Sequence, residues 1–145
     1  MYSGSPDYDL SGIGGVMAVI LIVEDEEQVL VLAKSYLEEQ GHKALSADTI
    51  DGALAILGGE QPVDLLFADI ALFADKQAGL ELANQAVARQ PTLKVLYTTA
   101  QTVTDGMKAL FVEGSALLEK PYTVDQLSHA LAVHFGIGPN TRSAA

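Results

Sequence analysis

Between Ala18 and Phe135 the sequence alternates five times between a short apolar run and a longer stretch whose apolar residues recur at helical spacing. No other feature limits the fold as much. Ala18-Val19-Ile20-Leu21-Ile22-Val23 is continuous and β-branched, the pattern of a strand buried on both faces. Val29, Leu32, Ala33, Tyr36 and Leu37 then recur at helical spacing, and Gly41 ends the stripe. A short strand over Lys43 to Ala47 precedes a stripe of Ile50, Ala53, Leu54 and Leu57. The run Val63 to Ala68, after Pro62, precedes Leu80, Ala83 and Val87. Lys94 to Thr98 precedes Val103, Met107, Leu110 and Phe111. Ser115 to Leu118 precedes Val124, Leu127, Leu131 and Phe135, with Thr123 and Gln126 forming a capping-box signature. Strands alternating with helices predict an α/β fold, a doubly wound five-stranded parallel sheet with five helices and right-handed crossovers.

The flanks differ in character. Residues 1–17 are rich in Ser, Gly and Asp and contain no Lys or Arg, so they read as a flexible leader rather than a secretory signal. Met17 is then a candidate natural start. Residues 18–136 form the folded domain and residues 137–145 a flexible polar tail. The longest apolar run, Gly12 to Val23, is stopped by Glu24-Asp25-Glu26-Glu27 and is too short to cross a bilayer, so no membrane partner is expected. A formal net charge of −11 argues against nucleic acid, whose phosphates require clustered positive charge. The absence of cysteine excludes thiolate catalysis and Cys-ligated metal centres, and fits a cytoplasmic setting.

In a doubly wound sheet the chemistry gathers beyond the carboxyl ends of the strands. Here those ends carry Glu24-Asp25, Asp69, Thr98-Thr99-Ala100 and Lys120-Pro121. If the first and third strands are neighbours, three carboxylates converge, and their repulsion calls for a hard divalent cation with all-oxygen ligation, Mg²⁺ or Mn²⁺. A lysine and a hydroxyl beside such a site form a phosphoryl-handling constellation, in which an aspartate can itself be the nucleophile. The three histidines, His42, His129 and His134, lie at no strand end and read as surface or helix-face residues. Glu26 and Glu27 read as a solvated first helical turn, and Tyr97 and Tyr122 as packing residues.

At Ile20-Leu21-Ile22-Val23-Glu24-Asp25-Glu26, Asp64-Leu65-Leu66-Phe67-Ala68-Asp69, Val95-Leu96-Tyr97-Thr98-Thr99-Ala100 and Leu118-Glu119-Lys120-Pro121-Tyr122 the chain resembles the receiver domain of two-component response regulators, of the single-domain, chemotaxis-regulator-like kind. The resemblance implies a flavodoxin-like sheet of strand order 2-1-3-4-5. It implies Asp69 as phosphoacceptor and Glu24 with Asp25 as the acidic pair. Mg²⁺ would be held by Asp25, Asp69 and the backbone carbonyl of Ala71. Thr99 would be the switch hydroxyl and Lys120 the phosphoryl-binding lysine, with a cis bond expected before Pro121. Gln101 and Ala71 would flank the path of water to the phosphoryl group. The implied donor is a histidine kinase or a histidine phosphotransfer protein. The implied output partner docks through the fourth helix, fifth strand and fifth helix. On this reading the domain catalyses only its own phosphorylation and dephosphorylation and is not a turnover enzyme.

Three positions depart from the family pattern. Phe73 stands where a proline is usual, four residues past Asp69. The loop Ala74-Asp75-Lys76-Gln77-Ala78 looks longer than usual. Leu117 stands where the fifth strand usually carries the switch aromatic. Two rival functions follow from the same residues. One is a Mg²⁺-dependent phosphohydrolase with an aspartate nucleophile, disfavoured because Ala71 stands where such enzymes carry a second aspartate. The other is a receiver-like binding module that is never phosphorylated, disfavoured by the complete residue set.

Overall fold

The computed structural model describes residues 16–140. Its elements are β1 (Val19–Val23), α1 (Glu27–Glu39), β2 (Lys43–Ala47), α2 (Ile50–Leu57), β3 (Leu65–Asp69), α3 (Ala78–Arg89), β4 (Lys94–Thr99), α4 (Asp105–Lys108), β5 (Ala116–Glu119) and α5 (Val124–Phe135). All neighbouring strands pair in parallel, in the order β2-β1-β3-β4-β5. The order reverses between β1 and β3, and that switch point is where a crevice opens beyond the strand ends.

Alternation along each strand sorts its side chains into two layers. Val19, Leu21, Val23, Leu66, Ala68, Val95 and Tyr97 pack with Ala53, Leu57, Leu80, Ala83 and Met107 on the α2–α3 side. Ile20, Ile22, Leu65, Phe67 and Leu96 pack with Ala33, Leu37, Leu127 and Leu131 on the α1–α5 side. A one-residue slip of β1 would exchange its two faces, so the packing of both layers holds the register. β1 and β3 are buried at every position, as the continuous apolar runs require.

Local signals end the elements. Thr49 accepts the Gly52 N–H at 2.9 Å at the start of α2, and Thr123 with Gln126 completes the capping box of α5. Gly136, with φ +68°, closes α5 in the left-handed conformation while its N–H bonds the Ala132 carbonyl.

The structure refines or departs from the sequence expectations at β3, at α4, in the chain after α5 and at His42. β3 begins at Leu65 rather than Val63, because the Asp64 carboxylate turns back to accept the Val19 N–H at 2.7 Å. α4 is a single turn, shorter than the stripe from Val103 to Phe111, as the poor helix formers Thr102, Thr104, Asp105 and Gly106 lead one to expect; the Thr104 hydroxyl caps it on the Met107 N–H. The leader expected over residues 1–17 lies outside the described residues except for Val16 and Met17, which are exposed. Of the expected tail, residues 137–140 lie against the domain. The Asn140 N–H donates to the Gln40 carbonyl at 2.6 Å, and its side-chain amide donates to the Gly41 carbonyl at 2.9 Å. That docking buries His42, which is 6% exposed rather than a surface residue. Its Nδ1 accepts the Ala18 N–H at 3.0 Å and its Nε2 faces the Gly138 carbonyl at 2.7 Å. With Nδ1 accepting, Nε2 is the ring nitrogen placed to donate to the Gly138 carbonyl. His129 and His134 are exposed, as expected.

Candidate functional site

Five parallel strands present their carboxyl ends on one edge, and the polar residues that follow them meet there. Glu24 and Asp25 follow β1, Asp69 closes β3, and Lys120 follows β5. Glu24, Asp25 and Asp69 each offer a carboxylate oxygen within 4.8 Å of the others. Glu24 and Asp69 are 4% and 6% exposed, whereas Asp25 is at the surface. Asp69 divides its two oxygens. Oδ1 accepts the Ala71 N–H at 3.0 Å and Oδ2 accepts the Lys120 ammonium at 2.7 Å. Lys120 also reaches Glu24 at 2.9 Å and Glu26 at 2.8 Å. Glu26 is therefore not simply a solvated residue of the first turn. It is exposed, but it is ion-paired across 94 residues of sequence.

The electrostatics follow from that crowding. Burial pushes the Glu24 carboxyl above its usual range; the Lys120 ammonium and the Glu26 N–H pull it back in part, and the Asp69 charge adds to the rise. Burial pulls the Lys120 ammonium down, but its hydrogen bonds to Asp69, Glu26 and Glu24 outweigh that, and its net displacement is upward. The Tyr122 phenol is pushed up to about 12 by burial and by the Glu24 charge. Three carboxylates thus share one ammonium, and Asp25 lies beside them without touching it.

The loop after β3 completes the rim. Leu72 and Asp75 exchange both backbone hydrogen bonds at 2.9 Å. Between them Phe73 and Ala74 have φ of +53° and +66°, the signature of a type I′ turn built without glycine or asparagine. The usual proline could not serve here, because the Phe73 N–H donates to Asp25 Oδ2 at 3.0 Å and orients that carboxylate. Left-handed backbone costs about 1–2 kcal/mol at each non-glycine residue. Phe73→Asn combined with Ala74→Gly is expected to raise stability by about 1 kcal/mol in urea unfolding. A loss of stability would show that the Phe73 side chain compensates for the strain.

Thr99 and Gln101 sit across the crevice on the β4–α4 side. Thr99 Oγ1 accepts the Gln101 N–H at 3.1 Å, and the Gln101 side-chain amide donates to the Lys76 carbonyl at 3.0 Å. Gln101 so straps the β4–α4 loop to the β3–α3 loop. Thr98 is also buried, and its hydroxyl has no hydrogen-bond partner among the described residues. An unpaired buried hydroxyl costs about 1–3 kcal/mol. Thr98→Val is accordingly expected to stabilise the domain by about 1 kcal/mol in thermal or urea unfolding. A destabilised variant would mean that the hydroxyl is satisfied.

The Lys120–Pro121 peptide is cis, as expected, and Pro121 is exposed. Leu117 is half-buried and pairs in register with Tyr97 of β4. Sequence reasoning treated Tyr97 as packing alone. It is fully buried, stacks on Phe111 with ring centroids 4.5 Å apart, and its hydroxyl accepts the Val112 N–H at 3.1 Å. The signal was its place two residues before Thr99, on the same side of β4.

Residues 20–132 match the family described as Response regulator receiver domain. The chain belongs to that family. The chain is similar to the nitrogen assimilation regulatory protein NtrX of Azorhizobium caulinodans, with 33% identity over 109 residues, 74% of this chain and 24% of that protein. It is also similar to the alginate biosynthesis transcriptional regulatory protein AlgB of Pseudomonas aeruginosa, 34% identical over 117 residues, 78% of this chain and 25% of that protein. The chain thus spans about a quarter of the length of these relatives. Among solved structures, a response regulator receiver protein from Sinorhizobium medicae aligns with a TM-score of 0.72 at 24% identity, covering 81% of this chain and 94% of that one. A CheY-like receiver domain from Methylobacillus flagellatus aligns at 0.68 and 25% identity, covering 82% of this chain and 99% of that one. The molecule is therefore a receiver domain of two-component response regulators, a signalling module rather than a conventional enzyme. No helix among the described residues is long and apolar enough to cross a membrane.

Proposed function

We propose that this receiver accepts a phosphoryl group on Asp69 from a phosphohistidine donor, a histidine kinase or a histidine phosphotransfer protein. The observation that supports it best is the setting of Asp69: a nearly buried carboxylate with one oxygen on a backbone amide and the other on a lysine ammonium. In the transfer, an Asp69 oxygen forms a new O–P bond as the donor P–N bond breaks. The electron pair stays on the imidazole nitrogen, which is then protonated. Lys120 donates to a phosphoryl oxygen, and Thr99 exchanges its bond with Gln101 for one to the phosphoryl group. Water later attacks phosphorus and returns Asp69 as a carboxylate.

The donor set fits a hard cation, since Glu24, Asp25 and Asp69 supply only oxygens and one ammonium cannot neutralise them. Asp25, Asp69 and the Ala71 carbonyl would hold Mg²⁺, with Glu24 beside them, and the ion would neutralise phosphoryl oxygens when bound. Asp25→Asn is expected to weaken Mg²⁺ binding at least tenfold in titration and to slow labelling by a phosphodonor, while folding survives. Unchanged Mg²⁺ affinity would overturn the ligand set. The reading as a whole is tested by incubating the domain with a phosphorylated donor and Mg²⁺ and mapping the acyl phosphate after borohydride reduction. Modification at Asp69 supports it, and modification elsewhere refutes it.

A groove of about 430 Å³ beside Lys120, lined by Val29, Leu32, Pro121 and Tyr122, is where the donor would dock. The output partner would use the α4–β5–α5 face, which exposes Leu110 and Val133. Leu117 lacks the ring that usually turns on β5. Tyr97 supplies an aromatic in register beside it and holds the α4–β5 connection through Val112. Gln101, strapped over the crevice, would restrict water and lengthen the life of the phosphoryl group more than the small Ala71 can. A cytoplasmic setting belongs to the same proposal.

A further inference from the structure

We infer that Glu26 is a positioning residue that gates Lys120, occupying one ammonium N–H in the resting domain and surrendering it when a phosphoryl group arrives. The inference rests on the reading of Asp69 as phosphoacceptor. An ammonium has three donors and no acceptor. All three are taken, by Asp69 at 2.7 Å, Glu24 at 2.9 Å and Glu26 at 2.8 Å. The three partners are not held alike. The side chains of Glu24 and Asp69 are 3% and 8% exposed, and each accepts a further backbone N–H, from Glu26 and Ala71 respectively. The Glu26 side chain is 64% exposed, and Lys120 is its only side-chain partner among the described residues. Glu26 is thus the carboxylate that can leave.

Its place in the chain points the same way. Glu26 is the N-cap residue of α1, in an extended conformation, yet its side chain makes no capping bond. A serine, threonine or aspartate at that position would cap the helix. The Glu26 side chain reaches instead across the crevice to β5. It also stands outside the group of three carboxylates able to hold a metal. Its charge falls on Lys120 and on whatever approaches Lys120. With Glu24, Asp25 and Asp69 it brings the site to four carboxylates against one ammonium, a field that repels an anionic phosphodonor.

Phosphoramidate with Mg²⁺ provides the test, because its P–N bond stands for that of phosphohistidine. An Asp69 oxygen forms the O–P bond, the P–N bond breaks, and the nitrogen keeps the electron pair and leaves as ammonia. Lys120 retains its protons throughout. Glu26→Gln is expected to lower the half-saturating phosphoramidate concentration about fivefold, as removal of one nearby charge at a partly wet site allows. The maximal rate should stay within twofold, and the gain should shrink as salt is added. In the free domain, nitrogen-detected NMR should show the Lys120 ammonium shifted in the variant without any phosphodonor. An equal or higher half-saturating concentration in Glu26→Gln would overturn the inference, as would a gain that salt does not diminish. A lowered melting temperature with no kinetic change would assign Glu26 a structural role and also overturn it. Asp69→Asn, assayed alongside, separates the two questions. Its failure to label leaves the phosphoacceptor reading standing whatever Glu26 does, and its labelling at full stoichiometry would overturn that reading instead.

Discussion

Asp69→Asn is expected to reduce phosphoryl labelling to background while leaving the domain folded. The substitution replaces one carboxylate oxygen by an amide nitrogen of nearly the same size, so the packing around β3 survives. The amide oxygen can still accept the Ala71 N–H. What disappears is the anionic oxygen proposed as the nucleophile, and an amide oxygen is far too weak to replace it. Stability should change little or rise. Lys120 loses one of three carboxylates but retains Glu24 and Glu26, and the mutual repulsion of Glu24, Asp25 and Asp69 is relieved. Labelling with a radioactive phosphodonor and thermal unfolding, run on both proteins, check both halves. Full labelling of the variant would move the phosphoacceptor to another residue.

Gly79→Ala is expected to destabilise the domain by about 3 kcal/mol, an effect opposite in sign to that of a glycine replaced inside an ordinary helix. A Cβ at this position would lie 2.0 Å from the Asp69 carbonyl oxygen and 2.8 Å from the Ile70 Cα. Both are backbone atoms, so neither can swing aside. The first turn of α3 sits this close because the Gly79 N–H donates to the Ile70 carbonyl at 2.8 Å. Relief requires α3 to move off the end of β3. That movement also disturbs Asp69, so slowed phosphoryl uptake should accompany the lost stability. A melting temperature lowered by roughly 10 °C is the expected size. Unchanged stability would show that α3 does not approach β3 so closely.

Much of the site was legible because its members are local features of strand ends. Glu24-Asp25, Asp69, Thr99 and Lys120-Pro121 each follow an apolar run at the same relative place, and a parallel sheet brings such places to one edge. The choice between Thr98 and Thr99 was not contained in that pattern. The resemblance to the family pointed to Thr99; the structure adds that Thr99 accepts the Gln101 N–H, while the Thr98 hydroxyl has no hydrogen-bond partner among the described residues. Glu26 illustrates the opposite case. In the sequence it is one more acid in an acidic helix start, and nothing in its neighbourhood names a partner 94 residues away.

The sequence by itself determined which segments are strands and helices and how the sheet is covered, because burial leaves a period in the chain. The continuous runs of β1 and β3 demanded two covered faces, and the Thr123–Gln126 pair marked the start of α5. Only the tertiary structure decided which loops cross-link. The Phe73 amide holds Asp25, Gln101 straps two loops through Lys76, and the chain beyond α5 lies over His42. Each of these joins a side chain or backbone group to a segment far away in sequence, at a distance set by how the crossovers pack. Hydrophobic periodicity records only whether a position faces the core. It carries no record of which polar groups meet once the faces are joined, and that meeting is what builds the acidic crevice.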